Sequence, residues 1–185
     1  MIKLATAFLL TALGGIVLKQ LGFKLPKDIA PVAWATLAGG ILILGIEWFL
    51  RGKPGAEQLS WAVVFAAAGA QVLAAAFPGA SRSGATILFA MLAGLGRQRA
   101  TEFSFLLGLP TMFAASGLEI FEELNKSGPA EVRWDLVAVG TLASAVTAFG
   151  VVKWLLRFVQ SHTFVVFGWY RIALGAVLLG LARTP

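Results

Sequence analysis

Gln58-Leu-Ser-Trp-Ala-Val-Val-Phe-Ala-Ala-Ala-Gly-Ala-Gln-Val-Leu-Ala-Ala-Ala-Phe-Pro-Gly-Ala-Ser81 runs from end to end without a charge. A helix needs about 20 mostly apolar residues to cross the hydrocarbon core of a bilayer. This stretch is long enough, yet Pro78-Gly79 breaks it just where an exit is expected, because neither residue continues a helix readily. A second helical piece, Gly84 to about Leu95, follows and ends at Gly96-Arg97-Gln98-Arg99. That piece is too short to cross alone. Together the two pieces read as a re-entrant hairpin over about residues 58–95, with its tip at 78–83.

Working outward, further apolar spans appear on both sides. They are Ile2 to about Leu18, Ala30 to Leu50, Phe103 to about Phe121 interrupted at Pro110, Leu136 to Leu156, and Thr163 to Ala182. The expected architecture is an all-α integral membrane protein in one domain, residues 1–185, with about five crossings and one hairpin. Cytoplasmic loops carry an excess of Lys and Arg. That rule places the turns at 51–53, 97–99 and 153–157 inside and the acidic loop at 122–135 outside. Met1 is then inside, Pro185 outside, and the hairpin enters from the cytoplasmic side. The loop carrying Lys24 and Lys27 is a misfit in this scheme.

Composition agrees. The chain is 58% hydrophobic and 13% charged with a mean hydropathy of +0.84, whereas soluble domains carry roughly a quarter charged residues. The net charge of +6 does not read as nucleic-acid binding, because the basic residues sit between apolar spans. They read as topology signals and anchors to anionic headgroups. Without cysteine, and with His162 as the single histidine, no thiolate or histidine-cluster metal site can form within this chain. No cleavable signal peptide is expected either.

The chemistry concentrates in Pro78-Gly-Ala-Ser-Arg-Ser-Gly-Ala-Thr86. An arginine at mid-membrane depth costs about 2.5–3.5 kcal/mol on insertion scales and persists where an anion or a water-filled cavity repays it. Arg82 lies between the hydroxyls of Ser81 and Ser83 at the start of a helix, whose free amides and dipole favour an anion. Gly79 and Gly84 let the backbone approach a ligand, and Thr86 shares a helix face with Ser83. The set reads as a phosphate cradle. Two blander readings compete: small residues packing between helices, which leaves Arg82 unexplained, and an arginine that snorkels to the headgroups.

The ten residues Pro-Gly-Ala-Ser-Arg-Ser-Gly-Ala-Thr-Ile at 78–87 closely resemble the phosphate-binding signature of the undecaprenyl-diphosphate phosphatases, or bacitracin-resistance proteins. Arg99-Ala-Thr-Glu-Phe-Ser-Phe-Leu-Leu107 and Trp169-Tyr-Arg171 are similar to that family too. The resemblance implies a multi-pass protein of the bacterial cytoplasmic membrane. It implies removal of the terminal phosphate of an isoprenoid lipid diphosphate on the outer side, to regenerate the lipid carrier of cell-wall synthesis. It also implies a divalent cation, Mg or Ca, and two inverted repeats with a hairpin each. The first repeat's Glu-x-x-x-Glu and Ser-Ser-Thr-Gly-His motifs do not occur in this sequence. The chain therefore resembles the second half, and the cation's ligands are not in it. Gln71 lies where the second repeat has its counterpart of the acidic motif.

By this reading Arg82, Ser81 and Ser83 are the catalytic candidates. Gly79, Gly84, Thr86, Arg171, Gln71 and Glu102 are the substrate-binding candidates, and no residue is assigned to a metal. Arg171 lies inside the last span, as a second phosphate contact or as an ion-pair partner of Glu102 or Glu119. Glu102 suits a capping or interfacial ion pair with Arg99 at least as well as catalysis, and Glu47 suits an ion pair with Arg51. His162 is expected in water. Membrane lipids and a lipid diphosphate are the expected partners, nucleic acid is not, and a homodimer is left open. The rival function is a transporter or flippase that binds a lipid phosphate at a broken helix without hydrolysis.

Overall fold

The computed structural model describes residues 1–22, 28–127 and 133–182, without the side chains of 126 and 127. Among them are seven helices and no sheet: α1 (Ile2–Gln20), α2 (Ile29–Phe49), α3 (Trp61–Ala76), α4 (Arg82–Leu92), α5 (Arg97–Ser127), α6 (Trp134–Ser161) and α7 (Val165–Leu181). Lys24, Lys27, Glu131 and Pro185 lie outside the described residues.

Four helices, α1, α2, α5 and α6, are long and apolar enough to cross a membrane. At 17 residues α7 is at the short end of the spanning range. Large apolar side chains face outward along all of them, among them Leu13, Leu42, Phe113, Leu142, Phe149 and Val177. Exposed apolar surface on this scale marks contact with lipid rather than water. The chain is an all-α multi-pass membrane protein.

The α2–α7 contact is made where side chains are small. At the α2–α7 contact, a Cβ added to Gly40 would lie 2.7 Å from the Gly168 carbonyl oxygen, and one added to Gly175 2.8 Å from Leu37. Small residues let membrane helices approach in this way. A second buried cluster, including Val63, Val64, Ala67, Ile87, Leu88, Met91 and Leu107, joins the hairpin to α5.

The hairpin is formed by α3 and α4, divided at residues 77–81. The side chain of Ser60 accepts from the Val63 amide and fixes the start of α3. At the open end the Ala56 amide donates to the Gly94 carbonyl (2.8 Å), and the Gly96 amide to the Ala56 carbonyl (2.9 Å). Cysteines placed at 53 and 98 are therefore expected to react with an impermeant thiol reagent from the same side of the membrane. Labelling from opposite sides would break the hairpin reading.

Pro110 does not interrupt the helix, as its sequence position suggested. α5 continues through it from 97 to 127, and the Thr111 hydroxyl donates to the Gly108 carbonyl at 2.8 Å. Proline is tolerated in membrane helices where neighbouring hydroxyls and local adjustment serve the backbone it disturbs.

The two ends of the bundle are chemically distinct. At one, Lys3 donates to the Leu59 carbonyl. There the buried Glu47 accepts two bonds from Arg97 (3.1 and 2.6 Å) and one from the Phe164 amide (2.8 Å). Glu47 thus joins α2, α5 and the start of α7, and not Arg51 as expected. At the other end Lys19 pairs with Glu122 at 3.1 Å. Removing one partner of a buried ion pair leaves an uncompensated charge and costs about 3–5 kcal/mol. With Glu47 3% and Arg97 29% exposed, Glu47→Ala is expected near the lower figure. It should appear as a large drop in melting temperature in detergent, and an unchanged melting point would remove Glu47 from this role.

Candidate phosphate site at the hairpin tip

The tip is built by backbone that few residues adopt. Gly79 has φ +94° and Ser81 φ +62°, the one positive φ outside glycine among the described residues. A Cβ on Gly79 would strike the Val32 carbonyl oxygen, so glycine is required there twice over. A non-glycine residue in such a conformation costs of order 1–3 kcal/mol and persists where its surroundings enforce it. Here the Ser81 Oγ accepts from the Gly84 amide at 3.2 Å, and the Ser81 carbonyl from the Ala85 amide at 2.9 Å. Ser81 thereby caps α4. The amides of Arg82 and Ser83 are left with no acceptor among the described residues.

Neighbouring helices hold the tip in place. Arg171 donates through Nη2 to the Gly79 carbonyl at 2.7 Å and reaches the Ala35 carbonyl at 3.5 Å. Gly39 makes room for it: a Cβ there would lie 2.5 Å from Nη2. Thr36 donates to the Val32 carbonyl at 2.8 Å and reaches the Gly79 carbonyl at 3.5 Å. Thr36 is seven residues from the start of α2 and thirteen from its end. At 1.5 Å per residue the tip lies about 10 Å from the Lys19–Glu122 end and about 20 Å from the other.

Arg171 is therefore a clamp on the tip. It is bonded to backbone and not ion-paired with Glu102 or Glu119. Its Nε is buried without a partner.

Three cavities border the tip; the largest, of about 510 Å³, is almost wholly apolar and reaches Ala80, Ser81, Gly84 and Arg171, and the other two divide the candidates. One, of about 260 Å³ between α2, α4, α6 and α7, is lined by Ser81, Ser83, Gly84, Tyr170 and Arg171 on walls that include Ile43, Leu155 and Phe167. The other, of about 360 Å³ between α1, α3 and α5, is lined by Arg82, Gln71, Lys19 and Thr111 on an otherwise mainly apolar surface. Arg82 and its flanking serines thus do not line a common cavity. Successive helical residues point about 100° apart, which the linear reading of the motif left out. Among the described residues the Arg82 guanidinium makes no hydrogen bond or ion pair. Gln71 is 2% exposed, with Oε1 unpartnered.

Two candidates are not brought into the site. Thr86 is fully buried and its hydroxyl donates to the Arg82 carbonyl at 2.8 Å; the bond of a helical threonine to its i−4 carbonyl removes it as a phosphate donor. Glu102 accepts from Gln98 (3.0 Å) and Arg99 (3.1 Å). It lies two residues, and so some 200°, from Ser104, the α5 residue whose hydroxyl reaches the Ser83 carbonyl at 3.4 Å. Glu102 belongs to the basic turn. His162 stacks on Phe158 (4.4 Å) and contacts Ser161; it is exposed, far along the chain from the tip.

Lys19 and Thr36 are additions that the sequence did not single out, and Tyr170 was marked only as part of Trp169-Tyr-Arg171, with no role given to it. Lys19 was one basic residue among those read as anchors, and nothing local marks Thr36.

The donor set at the tip consists of hydroxyls, amides and guanidinium groups, which suit an anion. It does not fit the divalent cation that the motif resemblance implies. Among the described residues no group of three His, Asp or Glu lies together. Glu47, Glu57, Glu102 and Glu122 are instead engaged by Arg97, Arg99 and Lys19.

Comparison with known proteins identifies the family. The family described as bacitracin resistance protein BacA matches residues 1–177. A protein of Rhizobium etli named undecaprenyl-diphosphatase is 47% identical over 183 residues, which cover 98% of this chain and 69% of that protein. One of Xylella fastidiosa with the same name is 48% identical over 178 residues, 96% of this chain and 68% of that one. One of Xanthomonas oryzae is 45% identical with the same coverage. The strained turn at Gly79–Ser81 and the arginine that follows it are thus features of a chain that belongs to the bacitracin resistance protein BacA family.

Proposed function

We propose that this chain holds the terminal phosphate of undecaprenyl diphosphate and serves in its hydrolysis to undecaprenyl phosphate. The observation that carries the proposal is Arg82. Its guanidinium has no hydrogen-bond or ion-pair partner among the described residues, lines a mainly apolar cavity, and stands on the first turn of a helix whose first two amides have no acceptor. A charge in such a place is offset by an anion or by water, and a planar fork with a helix N-terminus suits phosphate. The relatives' shared name supplies the lipid.

Phosphoryl transfer depends mainly on positioning and charge neutralisation. Arg82 and the amides of Arg82 and Ser83 neutralise the terminal phosphate that is transferred. Arg171, through Gly79, keeps the turn in the conformation that exposes those amides. Ser81 caps α4, and Ser83 offers an exposed hydroxyl on the opposite side. No base lies near either serine, so serine attack is not assigned. The Mg or Ca of the resemblance would take its ligands from outside this chain. With the basic turns at 51–53 and 97–99 inside, the Lys19–Glu122 end faces outward. The tip then lies in the outer half of the bilayer of the cytoplasmic membrane.

The assay is release of inorganic phosphate from undecaprenyl diphosphate. Binding or movement of the lipid without phosphate release, in an enzyme of the relatives' full length, would instead favour the transporter reading.

A further inference from the structure

Lys19 stands in a place that anchoring alone does not explain. Phe8, Thr11, Ala12, Gly15, Ile16 and Lys19 line the cavity that Arg82 lines. Their spacing of three and four residues is one face of a helix. Lys19 therefore continues the face of α1 that looks into the cavity. The register of α1 is set against the hairpin: Lys3 donates to the Leu59 carbonyl just before α3, and a Cβ on Gly14 would strike Val72. The two helices run parallel, and the last turn of α1 lies at the tip end of the hairpin. A helical Cα–Cβ bond tilts toward the helix N-terminus. For Lys19 that direction is back along the cavity, and for Arg82, at the start of α4, it is outward. The two cationic side chains thus approach one space of about 360 Å³ from opposite ends.

Glu122, 3.1 Å from Lys19, leaves that role open. The side chains of the pair are 74% and 43% exposed, and exposed ion pairs contribute little. An ammonium also has three donors, of which Glu122 takes one. We propose that Lys19 binds the second phosphate of the lipid diphosphate, the one that stays on the lipid, and so makes the site select a diphosphate over a monophosphate. This rests on the assignment of the terminal phosphate to Arg82 above. A monophosphate fills the place at Arg82 and leaves Lys19 with Glu122. A diphosphate brings a second anionic group next to the first and reaches both cations. Lys19 then exchanges its weak bond to Glu122 for a charge-assisted bond to phosphate.

The test is titration of undecaprenyl diphosphate, and separately of undecaprenyl phosphate, into the purified 185-residue chain in nanodiscs, with affinities read by phosphorus NMR. Wild type is compared with Lys19→Met, Lys19→Arg and Glu122→Gln. Wild type is expected to prefer the diphosphate. Lys19→Met should lower diphosphate affinity by roughly tenfold or more, the effect of losing one hydrogen bond between charged groups. Its monophosphate affinity should be nearly unchanged, so the preference falls by the same factor. Lys19→Arg keeps the cation and should keep most of the preference. Glu122→Gln frees Lys19 and should leave diphosphate binding unchanged or tighter. An unchanged preference in Lys19→Met, or equal loss for both lipids, would return Lys19 to anchoring. Weakening by Glu122→Gln to match Lys19→Met would make the ion pair, and not a phosphate contact, the role of Lys19. Binding of neither lipid by wild type would overturn the phosphate site itself, and this proposal with it.

Discussion

Arg82→Ala, in an enzyme of full family length, is expected to lose at least about 10²–10³-fold in turnover, the range for removing one preorganised donor at developing charge. A full positive charge raises the effect above that of a neutral donor. Arg82→Lys should recover little, because a point ammonium on a flexible stem lacks the planar fork and its fixed pair of donors. Folding is not expected to suffer. Among the described residues the guanidinium bonds to no part of the protein, so its removal breaks no internal hydrogen bond or ion pair. Phosphate release and melting temperature measured together separate the outcomes. Near-normal turnover in the alanine variant would return Arg82 to a snorkelling role.

The second large effect concerns the chain itself. Purified alone, the 185 residues are expected to release little or no phosphate from undecaprenyl diphosphate, with or without added divalent cation, while still binding the lipid weakly. The tip supplies charge neutralisation and positioning. It supplies no base: no Asp, Glu or His among the described residues lines the cavities at the tip, and His162 is stacked on Phe158. General acid–base assistance is typically worth 10²–10⁴ in rate. The chain spans 69% of its Rhizobium relative, and an extended version is expected to restore turnover. Full activity from the short chain would mean that a group near the tip serves as base, with Glu102 and a serine the first to test.

Much of the fold was legible because membrane helices are governed by a local rule. The charge-free run ending in Pro78-Gly79 gave the hairpin, and the span limits differed from the helix ends by only a few residues where no proline intervened. Pro110 misled because the rule that proline ends a helix comes from water-exposed backbone. Glu47 misled because its nearest charge in sequence, Arg51, competes with Arg97, fifty residues away and brought next to it by the hairpin's return.

At the site, Gly79 and Arg82 could be read from residue type alone. Thr86 could have been excluded from sequence, since a mid-helix threonine commonly bonds its own i−4 carbonyl. The division of Ser81 and Ser83 from Arg82 could not be read. It depends on which helices stand on each side of α4, as does the grip of Arg171 on the Gly79 carbonyl.

The most direct measurement is binding of undecaprenyl diphosphate to the purified 185-residue chain in nanodiscs, followed by phosphorus NMR, for wild type and Arg82→Ala side by side. The expected result is weak, saturable broadening of the terminal phosphate signal by wild type, with affinity at least tenfold lower in the variant. Equal broadening by the two proteins would contradict the assignment of the phosphate to Arg82 and the hairpin tip.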